Sequence, residues 1–179
     1  MTTIDISGDD RVQKFLRIIR GLDESRTIRT ALGERGAQLV RENFYEKDKT
    51  PNRLGGKRTH FYRQAGDATG YDLHPEGATV FTTREGVRQR LEGGVITPKN
   101  AKWLTIPMTK EAHGKKAGEF PDLDFAGGFL VDSEGRAHYV LKKRVVQEGD
   151  PTVQPSDKEM RELAVVVTLD TAEELLKRR

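Results

Sequence analysis

The sequence contains no cysteine, which excludes a disulfide framework, thiol chemistry and any thiolate zinc site. That absence fits folding in a reducing cytoplasm. No apolar run approaches the roughly 18 residues of a membrane-spanning helix, and the opening residues MTTIDIS lack the basic start and apolar stretch of a secretory signal. Both features predict a chain synthesised in soluble form in the cytoplasm, with no membrane partner. Hydrophobic residues make up only 35% of the 179 positions against 33% charged, and the mean hydropathy is −0.69. The core is therefore expected to be modest, with much of the chain facing water or a partner.

Catalytic signatures are also missing. His60, His74, His113 and His138 lie in separate segments, none with a second ligand at the short helical spacing of zinc sites, so all four read as isolated surface or turn residues. Asp122 with Asp124 falls in an expected loop, and Glu159 with Glu162 on an expected solvated helix face; a metal-dependent nuclease would need such carboxylates to converge. The GGKRT sequence at residues 55–59 lacks the glycine-to-lysine spacing of a phosphate-binding loop. No serine or threonine sits in a glycine-flanked nucleophile elbow. The expectation is a non-enzyme with no catalytic, metal-binding or cofactor-binding residues and no cofactor.

The pattern that is present predicts an α+β fold: an antiparallel β-sheet core with N-terminal helices and a C-terminal helix packed against it. One domain over 1–179 is expected, with a helical part at about 9–46, a β-rich core at about 70–147 and a last helix at about 157–177. Val12, Phe15, Leu16, Ile19 and Leu22 recur at helical spacing, giving a first helix over 9–22. Ile28, Leu32, Leu39, Val40 and Phe44 make the stripe of a second, over 25–45. Gly33 and Gly36 weaken it unless they admit a neighbouring helix or subunit. Residues 60–68 suit a short helix, and 78–83, 86–91 and 103–108 suit strands divided by Gly93, Gly94, Pro98 and Asn100. Residues 128–132 and 138–146 form a hairpin around Ser133, Glu134, Gly135 and Arg136. Ser156 and Glu159 form a capping box that opens the last helix, against the strand preference of the β-branched run at 165–169.

Two segments, 47–58 and 109–124, have no apolar period and are rich in charge and turn formers. Connections that long are uncommon in a compact domain unless they contact something. The net charge of +3 arises from 31 basic and 28 acidic residues, a small surplus on a mixed surface. The basic clusters at Lys57 and Arg58, at Arg84, Arg88 and Arg90, at Lys115 and Lys116, and at Lys142 to Arg144 would contact phosphates if they converged. Trp103, the single tryptophan, is expected in the core, with an interface anchor as the alternative.

Residues 91–107, LEGGVITPKNAKWLTIP, together with 111–120, EAHGKKAGEF, and the later pieces YVL at 139–141, VQ at 146–147 and DPTVQP at 150–155, resemble the virion morphogenesis proteins of phages, the Mu-type tail completion group. RENF at 41–44 and THFY at 59–62 extend the resemblance upstream, so that it covers over half the chain in order. The chain departs from the pattern at 148–152, where relatives carry an apolar-Pro-Ala-Arg-Pro sequence.

The resemblance implies a structural virion protein of the neck or tail, made in the host cytoplasm. Its subunits would form a ring homo-oligomer, a hexamer or dodecamer, joining the connector to the tail tube proteins, with DNA passing through the ring lumen. Arg53, Lys57, Arg58, Trp103, Lys115, Lys116 and Phe120 are then the candidate assembly-interface residues. A nucleic-acid-binding accessory protein of phage origin is the alternative.

Overall fold

The computed structural model of the chain describes residues 26–120 and 122–177; the helix expected over 9–22 lies outside them. The described residues form an α+β fold with antiparallel sheets. In chain order the elements are α1 (Arg26–Lys49), α2 (Phe61–Asp67), β1 (Thr69–His74), β2 (Gly77–Thr82), α3 (Val87–Glu92), β3 (Gly94–Ile96) and β4 (Leu104–Pro107). A 3₁₀ turn at Ala117–Glu119 precedes β5 (Asp124–Ala126), β6 (Phe129–Val131), β7 (Ala137–Lys142) and β8 (Val145–Gln147). A second 3₁₀ turn at Pro151–Val153 leads to α4 (Asp157–Lys177). By its contacts the chain falls into two compact units, one of residues 26–42, 68–83 and 155–177, the other of 43–67 and 84–154. Helix α1 contributes residues to each.

In the first unit the β1–β2 hairpin lies along α1. Arg29 Nη1 donates to the carbonyl of Pro75 at 3.2 Å and Arg41 Nη2 to that of Thr69 at 2.7 Å. The twelve residue steps from Arg29 to Arg41 rise about 18 Å along the helix, and the six extended steps from Thr69 to Pro75 about 20 Å, so the helix fastens both ends of β1. The two glycines of α1 make the approach possible. A Cβ at Gly33 would collide with the ring of Tyr71, and one at Gly36 would stand 3.0 Å from a methyl of Val80. The close neighbour at Gly33 and Gly36 is chiefly a strand hairpin.

Gly33→Ala is therefore expected to destabilise the protein, its overpacking penalty of about 1–3 kcal/mol exceeding a helix-propensity gain of about 1 kcal/mol. Gly36→Ala, which meets only a movable methyl, should lie near neutral. Thermal melts followed by circular dichroism check the order, and a Gly33→Ala protein more stable than the Gly36→Ala protein would contradict the close approach.

Helix α4 opens on the expected capping box. The Ser156 N–H donates to Glu159 Oε2 at 2.8 Å, and the Glu159 N–H donates to Ser156 Oγ at 3.3 Å. The run at 165–169 stays helical. Val167 is buried, and Thr168 and Thr171 satisfy their hydroxyls on the carbonyls of Ala164 and Val167, each at 2.7 Å.

In the second unit β5, β6, β7 and β4 make a four-stranded sheet in the order β4-β7-β6-β5, and β3 pairs with β8. The β6–β7 hairpin is the one expected, because Asp132 Oδ1 accepts the N–H groups of Glu134 at 3.0 Å and Arg136 at 2.8 Å while Gly135 takes φ +79°. Its second strand is interrupted at Lys143 and Arg144, so 145–147 pairs with β3 instead.

Two expectations need correction. Residues 86–91 are not a strand: Gly86 adopts φ +85° and launches α3, where Arg88 and Glu92 pair at 2.9 Å across one turn. Gly93 and Gly94 do more than separate strands, since Gly94 begins β3, and a Cβ at Gly93 would meet the backbone of Gly149 at 2.5 Å. Residues 69–74, which carry no clean alternation, form β1 because α1 and β2 supply their partners.

The core is small, as the hydropathy predicts. Tyr139, Phe44 and Val153 are the largest fully buried side chains among the described residues. Meanwhile Phe125 is 66% exposed, Val146 64% and Leu169 63%, leaving apolar surface available to a partner.

Candidate assembly surface

The second unit brings the two irregular segments together. Asn52 organises the first: its Oδ1 accepts the N–H groups of Leu54 at 3.0 Å and Gly56 at 3.1 Å, and its amide donates to the Gly56 carbonyl. This turn packs on the second segment. A Cβ at Gly56 would stand 2.6 Å from the carbonyl oxygen of Lys110, and His113 Nδ1 lies 3.0 Å from the Lys57 carbonyl, so that ring nitrogen donates. Arg58 folds back on the end of α1, its guanidinium donating to the carbonyls of Asp48 at 3.1 Å and Lys49 at 2.7 Å. It thereby satisfies acceptors that a helix C-terminus leaves open.

The second segment is anchored from below by β7. The Tyr139 hydroxyl donates to the carbonyls of Ala112 at 3.3 Å and Lys115 at 3.2 Å. Phe120 meets the Tyr139 ring edge-on at 5.8 Å and lies 5.0 Å from the His138 ring. Burial, then the nearby Glu119 charge, raises the Tyr139 phenol above its ordinary value, so it stays a donor.

His138 is not the isolated surface residue expected of it. It is 6% exposed, with Nε2 2.9 Å from Asp132 Oδ2 and Nδ1 3.0 Å from Thr109 Oγ1. The carboxylate draws an N–H from Nε2, and Nδ1 shares a hydrogen bond with the Thr109 hydroxyl. Hydrogen bonds from His138 and then from the Arg136 N–H hold Asp132 below the usual carboxylate range. Thr109 meanwhile caps a turn, its hydroxyl oxygen accepting the Ala112 N–H at 3.3 Å and its carbonyl the His113 N–H at 3.2 Å. This carboxylate–imidazole–hydroxyl chain locks strand, hairpin turn and irregular segment together.

The candidate interface residues occupy definite places on this scaffold. Arg53, Lys57, Arg58, Lys115 and Lys116 are exposed on the two stitched segments. Lys115 also lies over the Phe120 ring, at 5.1 Å. Phe120 itself is half-buried against β7. Trp103 is half-buried immediately before β4, rather than in the core, with Lys143 Nζ 5.4 Å from its ring. Sequence reasoning missed Asn52, Thr109, Asp132 and Tyr139. The signals were an asparagine four residues before Gly56 and an aspartate at the head of a Ser-Glu-Gly-Arg turn.

A third tie closes the unit behind the loops. Lys47 Nζ donates to Asp150 Oδ2 at 2.9 Å and to Thr152 Oγ1 at 2.6 Å, while the Thr152 hydroxyl donates to Asp150 Oδ1 at 2.6 Å. The Thr152 hydroxyl, then Lys47, pulls the Asp150 carboxyl down to about 2. A depressed folded value means that the stabilisation is present above the unfolded aspartate value of about 3.9 and is lost as pH falls through about 2. Acid titration of stability should show this loss, and Asp150→Asn should remove that part of the pH dependence. Identical acid profiles for the two proteins would contradict the tie.

Compared with known protein families, curated proteins and solved structures, the chain matches none of them. Among the described residues no group of three or more histidine, aspartate or glutamate side chains is placed to hold a metal ion. No described helix is long and apolar enough to cross a membrane.

Proposed function

We propose that this chain is a structural subunit of a bacteriophage-type particle at the head–tail interface, assembling as a ring that joins the tail to the connector. The observation that carries the reading is the stitching of two long segments with little secondary structure of their own into one defined surface bearing Arg53, Lys57, Lys115 and Lys116. A fold that spends Asn52, His113 and Tyr139 on fixing irregular backbone is holding a shape for something to meet. The exposed Phe125, Val146 and Leu169 and the small core suit a subunit that buries further surface in its assembly. The ordered resemblance along the chain supplies the class of assembly. On this reading the protein resides in the neck or tail of the virion, its neighbours are copies of itself, connector proteins and tube proteins, and DNA passes through the lumen.

Complementation tests it. Particles assembled without the protein should accumulate as separate heads and tails, and the purified protein should join them. Reversing Lys57 and Lys116 to glutamate should reduce joining at least tenfold with the circular dichroism spectrum unchanged. Complete joining in its absence would overturn the proposal.

A further inference from the structure

Beside the stitched loops, and within the same unit, an open pocket of about 250 Å³ is lined by the end of α1, the following loop, the start of α2, Arg90 of α3 and His113. Its charges do not balance. Lys47, Arg58 and Arg90 line it, as does one carboxylate, Asp48. Lys47 is answered by Asp150. Asp48 accepts from His60 Nδ1 at 2.8 Å and from the Arg63 N–H at 3.2 Å. Burial opposes ionisation of Asp48, but these hydrogen bonds prevail and hold it below the ordinary carboxylate value. Three fixed cations thus face two carboxylates, leaving one positive charge in excess before either imidazole is protonated.

Arg90 is where the excess concentrates. Its guanidinium carbon sits 3.9 Å from the centre of the Phe61 ring and 5.3 Å from that of Tyr62. A guanidinium held on a ring face keeps its N–H edges available. Among the described residues no carboxylate pairs with it, although the residue is half-buried. A partly desolvated cation with N–H edges outside any ion pair favours an oxyanion. His60 and His113 have Nδ1 engaged with Asp48 and with the Lys57 carbonyl, which leaves Nε2 of each neutral ring as an acceptor for a protonated phosphate oxygen.

We propose that this pocket binds a phosphate group, with Arg90 as its principal ligand and Arg58, Lys47 and the two imidazoles around it. Donors on Lys47, Arg58 and Arg90, side chains from α1, the following loop and α3, suit the several oxygens of a tetrahedral phosphate better than the two of a planar carboxylate. The volume lies below the about 300–1,000 Å³ of sites for drug-sized ligands, which fits the phosphate group alone and leaves any attached sugar and base in solvent. The group comes either from a free phosphate or from a nucleic-acid backbone. The inference is independent of the assembly role.

NMR titration of the full chain with pyrophosphate, with a short DNA duplex and with acetate tests it. Saturable shifts confined to the Arg90 side-chain N–H and the amides of 58–62 are expected with pyrophosphate, and at least tenfold weaker binding in Arg90→Gln. If pyrophosphate alone saturates the site, the source is a free phosphate; saturation by the duplex at lower concentration assigns it to the nucleic-acid backbone. Acetate binding as tightly as pyrophosphate, shifts that never saturate, or pyrophosphate binding unchanged in Arg90→Gln would overturn the proposal. The wild-type comparison with acetate stands even if the variant does not fold.

Discussion

Tyr139→Ala should lower stability by about 3–5 kcal/mol, the range for deleting a fully buried aromatic side chain, and should release residues 109–120 from β7. The ring is 1% exposed, it receives Phe120 edge-on, and its hydroxyl holds two carbonyls of the irregular segment. Tyr139→Phe separates the contributions. It keeps the ring but leaves the Ala112 and Lys115 carbonyls without that donor, for a loss of about 1–3 kcal/mol. Urea unfolding followed by Trp103 fluorescence reports on the correct unit, since the single tryptophan lies in it. Amide hydrogen exchange then shows whether 109–120 opens first. Equal stability of the alanine and wild-type proteins would mean that the segment is held elsewhere.

Phe44→Ala should cost a similar amount, about 3–5 kcal/mol. Phe44 is 2% exposed near the end of α1 and stacks on Tyr62 with centroids 6.2 Å apart, while the adjacent Asn43 donates to the carbonyls of Thr152 and Val153. Its removal leaves a cavity against Tyr62 of α2. Phe44→Leu, which fills most of the volume, should lose markedly less. The same fluorescence-detected unfolding measures both, and a Leu variant as unstable as the Ala variant would point away from cavity formation.

The elements legible in the sequence were those with a local cause. The stripe from Ile28 to Phe44 made α1, the Ser156–Glu159 box made α4 despite four successive β-branched residues that favour strand, and turn formers around Gly135 made the β6–β7 hairpin. What stayed hidden depends on partners distant in sequence. Residues 69–74 became β1 because Arg29, Arg41 and β2 receive them, and 87–92 became helix because Gly86 takes a left-handed conformation that a propensity reading of Val87 and Leu91 does not register.

The candidate surface divides in the same way. Charge and lack of periodicity marked both segments, so Arg53, Lys57, Lys115 and Lys116 were identifiable. That Gly56 and Lys57 meet Lys110 and His113 is a contact across more than fifty residues with no local signal. His138 looked isolated because its carboxylate lies six residues away, across a turn, and the hydroxyl bonded to it lies twenty-nine away. Phe120 and Arg58 were identified by type and position, and the structure adds what each already holds: a tyrosine ring in one case, a helix end in the other.

The mass of the purified 20.2-kDa chain in solution, measured by light scattering alone and after addition of tail particles, tests ring assembly. A hexamer or dodecamer is expected, or a smaller species that leaves solution by incorporation into the particles. A monomer at every concentration that never joins a particle would contradict it.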